Sequence, residues 1–135
     1  MCSSDLEQNG SKTEGVHFLQ IWIEPDLVGV TPSYEQKRFE LAAKKGLQLI
    51  ASPDGADGSV KINADARLHG AAIAAGQSAS LAIASGRHAW VQVVRGEVKV
   101  NGQLLQVGDG ASFSDEAQVS IEGKVAAEVL MFDLA

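Results

Sequence analysis

At 135 residues the chain is the size of one domain and long enough to bury a core. Its 45% hydrophobic and 21% charged content exclude a disordered polymer, and no apolar run approaches the roughly 20 residues of a membrane-spanning helix, so no membrane contact is expected. A net charge of −6 argues against a broad phosphate-binding surface, so nucleic acid is not expected as a direct partner.

Residues 1–15 are polar and lack the basic and apolar regions of a signal peptide. Cys2 is the only cysteine, which rules out an internal disulfide and makes the cytoplasm the expected compartment. On a polar terminus, with no base in view, its thiol is expected to be inert and exposed. Asn9-Gly10-Ser11-Lys12 reads as a turn. From Val16 to Ile23 the run is almost wholly apolar, the pattern of a strand buried on both faces. Pro25 ends it, since proline gives a ladder no N–H. Gly29 and Pro32 keep the connection irregular, and residues 34–39 read as a short helical turn.

From residue 47 the texture changes to short β-like runs, at residues 47–51, 59–62, 67–74, 78–84, 89–94, 97–100, 103–107, 111–113, 118–121 and 126–132. Such spacing with Gly-rich turns predicts a sandwich or barrel. The stretch 70–84 is rich in alanine and has a helical composition. Gly76, Ser78 and the alternation in Ser80-Leu-Ala-Ile83 favour strands there. Val98-Lys-Val100-Asn-Gly102-Gln-Leu104 predicts a hairpin, because Asn-Gly suits the positive φ angles of a type I′ turn.

His17-Phe-Leu-Gln-Ile-Trp-Ile23, with Pro25, Gly29, Pro32, Tyr34, Gln36, Arg38 and Phe39, resembles the join between the two cupin halves of pirin-family proteins. The likeness is strongest to bacterial pirins with quercetin 2,3-dioxygenase activity. It continues through Leu49-Ile-Ala-Ser-Pro-Asp54, Asp57-Gly-Ser59, Trp90-Val-Gln-Val-Val94, Gly96, Asn101-Gly102 and Glu128-Val-Leu-Met-Phe-Asp-Leu134. The order strand, Gly, strand, Asn-Gly, strand, Gly-Asp from Val94 to Asp109 is similar to the region between the two metal-binding motifs of cupins. The resemblance implies an all-β fold, with residues 47–135 as a C-terminal cupin-type double-stranded β-helix. Residues 1–46 are then the last strand and irregular linker of a preceding half.

A cupin metal centre draws three imidazoles and a carboxylate from a His-x-His pair with a following Glu, and a later His. The first-motif region here, Ser80 to Ala89, holds only His88, and the second, Gly110 to Glu116, holds no histidine. No cofactor is therefore expected in this barrel. In the pirin family the metal, Fe(II) or another divalent ion, belongs to the N-terminal half. By that resemblance Asp5-Leu-Glu-Gln-Asn9 stands where the family has His-x-Glu-x-Asn: Glu7 matches the metal carboxylate, and Asp5 occupies a histidine position. The alternative for both is a solvated loop.

The other polar and aromatic candidates have plain readings. His17 is expected to be a core or hydrogen-bonded residue, and His69 and His88 to sit on the surface or in loops. Trp22 and Trp90 are expected in the core. Asp115 and Glu116 are adjacent, so on a strand they would face opposite sides, and a solvated turn is the expectation. The family's reaction is oxygenative cleavage of a flavonol ring, and the flavonol is a substrate only of the intact protein. This chain alone is expected to be inactive. A non-catalytic module binding a protein partner and a truncated gene product are the alternatives. The apolar run from Val16 to Ile23, orphaned from its other half, is expected to self-associate or fold back on the barrel.

Overall fold

The computed structural model describes residues 8–135, and regular structure begins only past residue 40. Ten strands follow among the described residues. They are β1 (Gln48–Ser52), β2 (Val60–Lys61), β3 (Ala66–Ile73), β4 (Ser78–Ala82) and β5 (His88–Arg95). Then come β6 (Glu97–Val100), β7 (Gln103–Gln106), β8 (Gly110–Ser114), β9 (Gln118–Gly123) and β10 (Ala127–Leu134).

They form two sheets, one of six strands in the order β2-β1-β3-β10-β5-β8 and one of four in the order β4-β9-β6-β7. The pleat explains the core. On β5, Ala89, Val91 and Val93 are buried while Trp90 and Gln92 point the other way. On β9, Val119 and Ile121 are fully buried between exposed neighbours. With Val98, Val100, Val129 and Met131, all fully buried, they fill the space between the sheets. β-Branched side chains dominate because a pleated, half-buried surface packs them well.

Two corners set this geometry. Gly96 alone separates β5 from β6, at φ +77°, and there the chain leaves one sheet for the other. Asn101 (φ 47°) and Gly102 (φ +84°) make the turn between β6 and β7, the positive pair that Asn-Gly predicts. Asn101 also ties this hairpin to β9, its Oδ1 accepting the Ser120 N–H at 2.9 Å. The alanine-rich stretch is β3, a turn at Gly76 and β4, as the alternation predicts.

The N-terminal expectations need correction. Residues 16–23 form no strand; residues 19–24 lie over the outer face of the six-stranded sheet beside Trp90, Leu130, Phe132 and Leu134. A segment lying over a face meets side chains rather than an unpaired edge, so its N–H groups find no ladder. Trp22, expected in the core, is 81% exposed, and His17 is exposed rather than internal. No helical turn forms at residues 34–39. Glu35 accepts the Lys61 N–H at 3.2 Å and Lys37 donates to the Ser59 carbonyl at 3.0 Å, which tethers this stretch beside β2. The turn comes later, as a 3-10 helix at Leu41–Ala43, where Leu41 packs on Gly70 of β3.

Candidate functional site

β3, β5 and β10 reach the same end of the large sheet, where Asp133 lies between Arg67 and Ala89 in register. Arg87, just before β5, closes that end. Its Nε donates to Asp133 Oδ1 at 2.6 Å and its Nη1 to Asp65 Oδ1 at 3.0 Å. Nη2 donates to the main-chain oxygens of Asp65 and Asp133 at 3.2 and 3.4 Å. A planar guanidinium suits this fork of acceptors. Asp133 is only 9% exposed, so its charge needs this partner. The hydrogen bond to Asp133 raises the already high Arg87 pKa, against the opposing effect of burial. A carboxylate held this way through Oδ1 ties the end of β10 to Arg87 and, through Arg87, to Asp65.

Two residues along β3, His69 pairs with Met131 on β10 and Leu49 on β1. Met131 is fully buried, and directly opposed residues share a face, so His69 turns toward the barrel interior. Its Nδ1 is buried without a hydrogen-bond partner among the described residues. Burial lowers its pKa, partly offset by the Asp133 charge and the Met131 main chain, while Arg67 lowers it further. This corrects the surface or loop expectation for His69.

His88 is exposed, as expected, and its Nδ1 lies 2.8 Å from Ser114 Oγ. A nucleophilic serine needs a third group behind the histidine and donors for an oxyanion. In register His88 faces Leu134 on its other side, so the pair is a surface hydrogen bond. Asp115 and Glu116 are exposed, with Asp115 at φ 60°, a solvated turn. They border a 260 Å³ cavity with Arg87 at the barrel end.

The larger groove is outside the barrel. It holds about 460 Å³ between residues 19–24 and the sheet, walled by Trp90, Gln92, Leu130, Phe132 and Leu134. Trp90 lines it at 38% exposure, so it is not a core residue. The reason is parity: β5 buries Ala89 and Val91, which forces Trp90 outward. Its Nε1–H donates to Gln92 Oε1 at 3.2 Å.

Cys2, Asp5 and Glu7 lie outside the described residues. Among the described residues no three His, Cys, Asp or Glu side chains come together as metal ligands. His69 has Leu49 and Met131 as its cross-strand neighbours, and His88 has Ser114 and Leu134. These surroundings do not fit a three-histidine, one-carboxylate centre. The residues that sequence reasoning missed are Arg87 and Asp133. A single carboxylate inside the apolar run Val129-Leu-Met-Phe-Asp133 was the available signal, since a buried carboxylate demands a cation.

Two facing sheets around an aliphatic core, with a chain-switching corner at Gly96, define an all-β protein of the cupin class. Residues 49–134 match the family described as the quercetinase C-terminal cupin domain, and the chain belongs to that family. It is 44% identical to a quercetin 2,3-dioxygenase of Escherichia coli over 128 residues, covering 95% of this chain and 54% of that protein. It is 36% identical over 125 residues to a pirin-like protein of Caulobacter vibrioides, covering 90% of this chain and 53% of the relative. The crystal structure of the bacterial pirin YhhW of Escherichia coli in complex with nickel(II) superposes with a TM-score of 0.76 at 41% identity, over 82% of this chain and 47% of that one. The chain therefore spans about half the length of the curated relatives it matches.

Proposed function

We propose that this chain is the non-catalytic C-terminal barrel of a pirin-type quercetin 2,3-dioxygenase, a cytoplasmic enzyme that opens a flavonol ring with O₂. One observation carries the reading: similarity to quercetin 2,3-dioxygenase runs over 95% of the chain yet meets only 54% of that relative. The divalent metal, Fe(II) or another such ion, and most of its ligands would then lie in the half that these residues do not match. When bound, that metal supplies the activation of the flavonol. Residues 1–46 are read as the end of that half and its linker, with Glu7 as the one carboxylate ligand carried over and Asp5 at a histidine position. This barrel's own contribution is a rigid platform, its strand ends clamped by Arg87 and its outer face turned to residues 19–24.

The test is flavonol consumption and O₂ uptake, with quercetin and added Fe(II) or Ni(II). The intact Escherichia coli relative should turn over, and this chain alone should not. Ring cleavage by the isolated chain, with stoichiometric metal after dialysis, would refute the reading. A second reading, a non-catalytic module that binds a protein, draws support from the exposed apolar side chains at residues 16–30.

A further inference from the structure

We propose that Asn101 is a site of covalent self-modification that the fold holds shut: it keeps its amide while the β6–β7 hairpin is docked on β9 and loses it once the hairpin lifts away. This goes beyond the catalytic reading and does not depend on it, because every group involved lies in β6, β7, β9 and the turn between β6 and β7. Asn-Gly occurs twice in the chain, at Asn9-Gly10 and Asn101-Gly102. Asparagine before glycine is prone to this chemistry because no Cβ on the following residue shields its main-chain nitrogen. That nitrogen, giving up its proton to solvent, attacks the side-chain Cγ. The new N–Cγ bond closes a five-membered imide, the Cγ–Nδ2 bond breaks, and ammonia leaves. Water then opens the ring at one carbonyl or the other, leaving aspartate or isoaspartate. Water is the only co-reactant.

The docked hairpin withholds the electrophile. Asn101 Oδ1 accepts the Ser120 N–H at 2.9 Å, its Nδ2 donates to the Gln118 carbonyl at 3.3 Å, and its own N–H donates to the Ser120 carbonyl at 3.0 Å. One partner of the amide is a donor and the other an acceptor, so a single orientation satisfies both. Asn101 thereby continues the β6–β9 ladder one step past Val100 and Ile121. To reach Gly102 N, Cγ must swing off β9 and give up both side-chain bonds. The backbone is held as well: Asn101 at φ 47° and Gly102 at φ +84° form the tight turn that sets Val100 opposite Gln103. Asn9 lacks both restraints. In this chain its amide bonds only to the Glu14 and Ser11 main chain, so it can turn without disturbing any strand.

The change is one-way. Aspartate keeps an acceptor for the Ser120 N–H but has no N–H for the Gln118 carbonyl, and it sets an anionic oxygen against that carbonyl. Isoaspartate runs the main chain through the side-chain carbon, which lengthens a two-residue turn whose length fixes the register of its strands. A hairpin that has been open long enough to react therefore docks again poorly. Asn101 records how often β6 and β7 leave β9.

Peptide mapping by mass spectrometry, after incubation of the purified chain at mildly alkaline pH, measures this. Tryptic peptides 1–12 and 100–124 each contain a single asparagine, so each site is read from the exchange of its amide NH₂ for OH. In denaturing urea the two sites should convert at similar rates. In native buffer Asn9 should stay within a few-fold of its rate in urea. Asn101 should slow by roughly tenfold or more, since breaking even two such hydrogen bonds suppresses the open form by about that factor. Conversion of Asn101 in native buffer as fast as in urea, or as fast as Asn9, overturns the proposal. So does an Asn101 that stays intact in urea, where nothing restrains it. Asn101→Asp, which installs one product permanently, should fold with an unchanged far-UV CD spectrum and speed amide hydrogen exchange through β6 and at Ser120. Exchange as slow as in the parent chain overturns the claim that the modified hairpin docks poorly.

Discussion

His69 is the residue whose environment most constrains what the chain does with pH. Its imidazole is drawn into the barrel by the alternation of β3, with Nδ1 buried and unpaired among the described residues. Burial holds its folded-state pKa below the ordinary histidine value of about 6.5. As the pH falls through that value, the unfolded chain takes up a proton that the folded chain refuses. Stability from this residue is thus fully present above about pH 6.5 and is lost below it, by at most about 1.4 kcal/mol per pH unit. Urea midpoints at pH 7.5, 6.5 and 5.5 should fall, and His69→Gln should flatten the decline. Equal slopes in the two proteins would show that His69 does not carry the dependence. The sequence offered only three histidines without a second nearby, which spoke against a metal pair but not for depth. Depth came from Met131 and Leu49, separated from His69 by long stretches of chain and joined to it only by register.

At the scale of elements, strands were legible because each has a local cause. Short β-like runs between turns located β5, β9 and β10, alternation at Ser80–Ile83 favoured β4, and Asn-Gly located the β6–β7 turn. The strip at residues 16–23 was misread for a physical reason: composition registers apolar demand, whereas a strand also needs an edge to pair with. The corner at Gly96 shows a second kind of information that local pattern lacks. Gly96 and Gly102 have similar φ angles, +77° and +84°, yet a Cβ on Gly102 meets open space while one on Gly96 would strike Ala126 O and Ala127 Cα. Gly102→Ala should therefore cost only the left-handed backbone term, about 1 kcal/mol. Gly96→Ala adds displacement of backbone where β5 passes to β6, and should cost about 2–4 kcal/mol. Chemical denaturation of both variants compares them directly. Equal losses would mean that the Ala126–Ala127 backbone yields freely and that the corner is not a tight one.

For the whole molecule, the fold could be read from the chain because both facing sheets are built from strands between Gln48 and Leu134. The reaction could not, because cupin ligands converge from separate motifs and the described residues bring no such set together. What the chain contributes to a metal centre is therefore testable only beside a half that supplies the rest. Consider a pirin-family N-terminal half carrying His-x-His, fused ahead of this chain so that Asp5 and Glu7 fall where the resemblance puts the remaining two ligands. Asp5 then offers an anionic oxygen where the family has a neutral imidazole nitrogen, a poorer match for a centre built on three histidines. Asp5→His should raise Fe(II) affinity by roughly 10–100-fold, and Glu7→Ala in that background should lower it again by a similar factor. Equilibrium dialysis at neutral pH, where free carboxylates are ionised, reads the occupancy without relying on turnover. Equal iron in all three fusions would place Asp5 and Glu7 in an ordinary loop and would confine this chain's role to the platform that Arg87, Asp65 and Asp133 hold together.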